Sequence, residues 1–338
     1  KQKTAYEIPK RDWSSDVCSS DLLLALGASA TALPALAQSY PDKAVRIVVP
    51  VAAGGNQDLV ARGIAQKLTD HLGQSFLVEN SPSASAVVGT IQVAKAAPDG
   101  YTLLLGGGGE TAANGALFKG KITYDVVKDL TPIHVAVKAP IVLMVHSGTP
   151  YKTIQDLIAY AKANPDKLSY SSSGIGNLQH LSGELFNTMA GVKTVHVPYR
   201  GSAPAVTDIA GGQIPFGYNS LPAALPLIQD GKIRPIGVTS RERMPQLPDV
   251  PAIDEVLKGY ELVNYFGVFG PGNMPAAIVE KLNQAIEAAL KEPGLRAKFE
   301  GMGLLPQSQT PAQAKAFVAG EAAKFEKIII DAKVSVEG

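Results

Sequence analysis

Residues 45–73, VRIVVPVAAGGNQDLVARGIAQKLTDHLG, carry the reading of the fold. VRIVVP is a short, nearly continuous apolar run, the pattern of a strand buried on both faces in a parallel sheet. Gly54-Gly55 breaks the run. From 57 to 72 the residues Val60, Ile64, Leu68 and Leu72 recur on one helical stripe, and Gly73 supplies a stop. Strand, tight loop of small residues, then helix is the unit from which α/β sheets are built.

The same alternation continues along the chain. Strand-like runs are expected at 76–79, 101–105, 133–137, 141–145, 168–171, 195–197, 214–218, 233–238 and 266–269. Helices are expected at 84–97, at 154–163, where Thr153 and Asp156 form a capping box, and at 177–190, closed by Gly191. Beyond the last strand the chain reads as three helical pieces beginning near Pro275, Pro293 and Pro311, with Thr310 and Gln313 marking the third. Repeated β-α-β units predict parallel sheets covered by helices on both faces. So many strands exceed one comfortable core, so two α/β lobes are expected.

The 338 residues are 46% apolar and 18% charged with a net charge of +1, the balance of a folded protein rather than a disordered one. No basic run offers a field for nucleic acid, so no nucleic-acid partner is expected. Near the start, residues 22–37, LLLALGASATALPALA, form an apolar core ending in Ala35-Leu36-Ala37, an A-x-A cleavage signal. At 16 residues this run is short for a membrane span, which needs about 20. Cleavage after Ala37 and a periplasmic destination are therefore expected, with residues 1–37 as leader. Residues 12–22, DWSSDVCSSDL, read as translated adapter sequence rather than a natural basic leader. The only Cys, Cys18, and the only Trp, Trp13, lie in that stretch, which leaves no disulfide framework or Cys metal site in the remainder.

Two loops share one chemical design. Residues 50–58, PVAAGGNQD, run from a strand through small residues into a helix whose first N–H groups are unpaired and carry partial positive charge. Such an end accepts an anion. Asp58 is expected to cap this helix instead of meeting a ligand. Residues 171–177, SSSGIGN, repeat the arrangement and add hydroxyl and amide donors. Both loops follow strand C-termini, where α/β sheets place ligands. Tyr218-Asn219-Ser220 offers further amide and hydroxyl groups, or a turn. Catalytic patterns are missing: no G-x-S-x-G elbow, no Lys-Ser/Thr after Gly106–Gly109, and no proper dinucleotide fingerprint. His180 and Glu184 have an i, i+4 spacing that suits a metal, without H-E-x-x-H or an evident third ligand. No catalytic residue, metal or cofactor is expected.

The motifs YPDKAVRIVVPVAAGGNQD, LGQSFLVEN, KAAPDGYTLLLG, HLSGELFNTMAG, VHVPYRGSAPAVTDIAGGQI and VTSRERMPQLPDVPAIDE occur in order from Tyr40 to about Val334. Together they resemble the Bug-type substrate-binding proteins of tripartite tricarboxylate transporters. The resemblance implies a type II periplasmic binding-protein fold: two Rossmann-like lobes, a hinge and an interlobe cleft. It implies lobe one at 38–139 with 263–338 and lobe two at 140–262. It also implies a monomeric, non-enzymatic receptor that hands a small carboxylate to membrane permease subunits, with ordered waters bridging carboxylate and loops. Carried onto this chain, the ligand-binding positions are Ala53, Gly54, Gly55, Asn56 and Asp58 in the first loop. In the second they are Ser172, Gly174, Gly176 and Asn177. Thr111, Tyr199 and Asn219 match further cleft positions. The chain departs from the family at Asn56-Gln57, where Ser or Thr is usual, and at 110–118, which is expected to put Glu110 near the pocket rim. A sensor subunit using the same cleft, and a hydrolase using Ser172 or His180, are the competing readings.

Overall fold

The computed structural model describes residues 40–335; the leader and the cleavage expected after Ala37 lie outside them. The apolar run is β1 (Val45–Val49), buried except at Arg46, and the stripe is α1 (Asn56–Leu72). Gly73 ends α1 at φ 71°, the left-handed conformation a residue without Cβ adopts freely, and its N–H bonds the Thr69 carbonyl. β2 (Phe76–Asn80), α2 (Val87–Ala94) and β3 (Thr102–Gly107) follow. A single π-helical turn (Gly109–Ala113) and the short α3 (Asn114–Leu117) then lead toward β4 (Leu130–Ala139).

One residue, Pro140, separates β4 from β5 (Ile141–His146). Next come α4 (Ile154–Ala163), β6 (Ser169–Ser172), α5 (Leu178–Ala190), β7 (Val195–Pro198) and α6 (Ser202–Ala210). β8 (Phe216–Ser220), α7 (Leu221–Gln229) and β9 (Ile233–Val238) complete that region. β10 (Asn264–Pro271), α8 (Ala276–Lys291), α9 (Pro293–Gly301), β11 (Leu305–Pro306) and α10 (Pro311–Asp331) close the chain. The capping boxes read at Thr153 and Thr310 are both formed.

The strands sort into a six-stranded sheet, β11-β4-β10-β3-β1-β2, and a five-stranded sheet, β7-β6-β8-β5-β9. Neither sheet is wholly parallel, which corrects the expectation. β1 is parallel to β2 and β3, whereas β10 is antiparallel to both β3 and β4. In the second sheet β6 is parallel to β7 and β8, whereas β5 is antiparallel to β8 and β9. A parallel neighbour needs a crossover of a dozen or more residues. The strands that carry the chain between sheets have no such crossover on their connecting side, so they enter in the opposite sense.

The two crossings between sheets are stitched together. The Ile141 N–H donates to Thr239 Oγ1 at 2.9 Å, and the Thr239 N–H returns a bond to the Ile141 carbonyl at 2.9 Å. α10 packs on both cores. Its first half puts Ala314 and Val318 with Val48, Leu104 and Val135 of the six-stranded sheet. Its second half puts Phe325, Ile328 and Ile329 with Leu143, Tyr170 and Tyr218 of the five-stranded sheet. No helix among the described residues is long and apolar enough to cross a membrane.

Candidate functional site

A cleft of about 410 Å³ opens between elements of the two sheets. One wall holds Gly55, Asn56 and Gln57 at the start of α1, with Asn264 and Phe266 of β10. The other holds Gln179 in the first turn of α5, Ser202 at the start of α6, and Ser220 to Ala223 at the start of α7. The crossing Ala139, Pro140 and Ile141 contributes to the lining, as do Met302, Gly303 and Leu304 after α9. No Asp, Glu, Lys, Arg or His is among the lining residues.

α1, α6 and α7 all begin at this cleft, and none has a side-chain cap: their N-cap residues are Gly55, Gly201 and Ser220. Their first-turn N–H groups are therefore free for a ligand or water. Pro204 removes one donor from α6 and Pro222 one from α7. The capped helices α4 and α10, by contrast, spend theirs internally.

The first loop is braced from behind. The buried Asp58 carboxylate accepts from the Gly54 N–H at 3.0 Å, from Arg62 Nε at 3.0 Å and from Asn80 Nδ2 at 3.0 Å. Contrary to expectation, Asp58 does not cap α1 but ties the preceding loop to it. Burial alone would raise the carboxyl pKa. The bonds from Arg62, Gly54 and Asn80 outweigh burial and hold it below the ordinary range. Glu110 is also displaced from its expected place. It is buried under the loop, not at the rim, because the π-helical turn folds it inward. Its Oε1 accepts from the Gly107 N–H at 2.7 Å and from Gln57 Nε2 at 2.5 Å. Burial raises its pKa, offset in part by these bonds.

The second loop bonds chiefly to itself and to two histidines. Ser172 Oγ donates to the Gly174 carbonyl at 2.9 Å and meets His196 Nε2 at 2.7 Å. The Gly176 N–H donates to His180 Nδ1 at 3.0 Å, and Asn177 caps α5 through the His180 N–H at 3.0 Å. The two imidazoles stack with centroids 3.7 Å apart and planes 9° apart. Burial lowers the His180 pKa to about 4. Burial and then the charge of His180 lower that of His196 to about 3. Ser172 is sealed from solvent, so its hydroxyl is not presented to the cleft. His180 Nε2 lies 3.7 Å from Glu184 Oε1, and no cluster of three metal-ligating side chains occurs among the described residues.

Of the twelve sequence-derived positions, Gly55 and Asn56 line the cleft. Ala53 and Gly54 precede them on the exposed loop. Asp58, Ser172, Gly174, Gly176 and Asn177 stand behind or beside the lining, in the networks just described. Thr111 is buried, its hydroxyl bonded to the Gly107 carbonyl and to the Tyr265 hydroxyl. Tyr199 bonds Asp208 at 2.6 Å. Asn219 is fully buried beside the lining residue Ser220, and neither amide atom has a protein partner. Gln179, Ser202 and Asn264 line the cleft without having been read from the sequence. Ser202 alone carried a signal, since it follows Gly201 at a helix start.

The chain matches the family model described as tripartite tricarboxylate transporter family receptor over residues 60–334. It is 34% identical to the BugT protein of Bordetella pertussis over 301 residues, 88% of this chain and 92% of that one. A solved R. palustris protein with adipate has a TM-score of 0.76 and 37% identity, covering 88% of this chain and 99% of its own. MatC from Rhodopseudomonas palustris, solved with bound malate, has a TM-score of 0.72 and 32% identity over 86% of this chain and 100% of its own.

Proposed function

The chain belongs to the tripartite tricarboxylate transporter family of receptors, and on that premise we propose that it captures a small organic carboxylate in the cleft and delivers it to membrane permease subunits. The observation that carries this reading is the meeting of three uncapped helix N-termini, those of α1, α6 and α7, at a cleft lined by neutral side chains. Each helix end favours an anion by roughly 0.3–1 kcal/mol, and by more where water is excluded. Neutral donors and bridging waters complete the shell without a fixed counter-ion. A volume of about 410 Å³ suits a small metabolite. The adipate and malate bound by the two solved relatives support a carboxylate ligand.

The mechanism requires no covalent step. The ligand docks on the helix ends, and the lobes close about the stitched crossings at Ile141 and Thr239. In this proposal the six-stranded sheet organises lobe one and the five-stranded sheet lobe two, and Gly55 and Asn56 form the carboxylate shell with Gln179, Ser202 and Ser220, while Gly54 is held by Asp58 and Asn219 is sealed behind Ser220. The A-x-A signal ending at Ala37 supports a periplasmic location. Thermal denaturation of the purified protein with a panel of mono-, di- and tricarboxylates tests the reading. At least one acid is expected to raise the midpoint in proportion to the logarithm of its concentration above Kd. Stabilisation by a neutral sugar or an amine, with none by any acid, contradicts it.

A further inference from the structure

Gln57 reaches the cleft with its polarity already fixed. Its Nε2 donates to the Leu105 carbonyl at 2.9 Å and to Glu110 Oε1 at 2.5 Å. A primary amide has two N–H donors, so both are spent behind the wall. Leu105 offers only a carbonyl there, which sets which end of the amide is nitrogen. Glu110 is itself held in place by the Gly107 N–H. What remains is Oε1, which accepts no bond from any described residue and is not among the sealed polar atoms. Gln57 is one of the residues lining the cleft.

An ionised carboxylate only accepts hydrogen bonds, and so does this oxygen. Two acceptors cannot bond directly, so a carboxylate group of the ligand does not sit against Gln57. We propose that Gln57, oriented by Glu110, selects carboxylates that carry a hydrogen-bond donor, a hydroxyl or an ammonium group, and that this donor bonds Gln57 Oε1. The inference rests on the carboxylate reading of the cleft and sharpens it. The helix ends take the anionic group, and Gln57 reads the substituent next to it. A hydroxyl side chain donates or accepts as required, whereas an amide tied at its nitrogen only accepts.

Calorimetric titration of two matched series tests the assignment: succinate, malate and aspartate, then adipate, 2-hydroxyadipate and 2-aminoadipate. In at least one series the hydroxy or amino acid is expected to bind about tenfold more tightly than the unsubstituted acid, the worth of one well-made hydrogen bond. Which of the two substituted acids leads identifies the donor. In Gln57→Met, which keeps the bulk and loses the acceptor, the advantage is expected to fall below about twofold. Equal or tighter binding of the unsubstituted acids overturns this inference and leaves the carboxylate reading standing. An advantage that persists in Gln57→Met overturns it as well. Binding of no acid in either series overturns both. Should Gln57→Met fail to fold, the wild-type comparison decides alone.

Discussion

At the scale of single residues, the site depends on side chains that never touch the cleft. Asp58 is the clearest case. Its carboxylate collects Gly54, Arg62 and Asn80, so Asp58→Ala removes the shared acceptor of the Gly54 N–H, the half-exposed Arg62 guanidinium and the Asn80 amide. A loss of about 2–3 kcal/mol is expected in chemical denaturation, together with weaker ligand binding because the loop loses its brace. Unchanged stability would show that the brace is idle. The stacked imidazoles give a second test. Both have folded pKa values below the ordinary value of 6.5, so the unfolded chain takes up protons first as pH falls. Their stabilisation is complete above about pH 6.5 and is lost between there and about 4 for His180 and about 3 for His196. Glu184 and Glu110, whose pKa values burial raises, act with the opposite sign. The comparison is therefore made against His196→Asn. Between pH 6 and 4.5 the wild type is expected to lose about 1 kcal/mol per pH unit more than the variant. Equal slopes contradict the assignment. Neither network was legible in the sequence, because Ser172 and His196, or Gly176 and His180, meet only after folding, and single residues carry no pattern that announces a partner.

At the scale of elements, legibility followed periodicity and caps. α1, α4, α5 and α10 were readable because stripe, cap and stop agree locally, as with Thr153 and Asp156 or Gly191 at φ 62°. The π-helical turn at Gly109–Ala113 was not readable, since one turn leaves no period, and missing it put Glu110 at the rim instead of under the loop. Strand direction was also hidden: a buried strand reads the same whichever way its neighbour runs. Packing overrides propensity in α5. Alanine favours a helix interior over glycine by about 1 kcal/mol. At Gly183, however, a Cβ would lie 2.2 Å from the ring of Tyr170, whose hydroxyl is fixed by Glu184 at 2.6 Å. Gly183→Ala is therefore expected to destabilise by about 1–3 kcal/mol. Gly320→Ala on α10, where a Cβ meets nothing within 4 Å, is expected to stabilise by up to about 1 kcal/mol. Denaturant midpoints of the two variants moving in the same direction would contradict this contrast.

At the scale of the molecule, the fold places helix ends rather than charged side chains around the cleft. That choice explains why composition is silent about function: a net charge of +1 and scattered cations accompany a cleft lined by neutral side chains and helix N-termini. α10 ties both cores together, while the crossings at Pro140 and Thr239 carry the chain between them. The central claim is that an organic carboxylate occupies the cleft between α1 and the starts of α6 and α7. Isothermal titration of wild type and Ser220→Trp with the best-stabilising acid tests it most directly, since the indole would fill the cleft from a partly exposed position. The expected result is one site per chain in the wild type and binding weakened at least about a hundredfold in a folded Ser220→Trp protein, the loss of about 2.7 kcal/mol. Undiminished binding by the variant would place the ligand elsewhere and contradict the account.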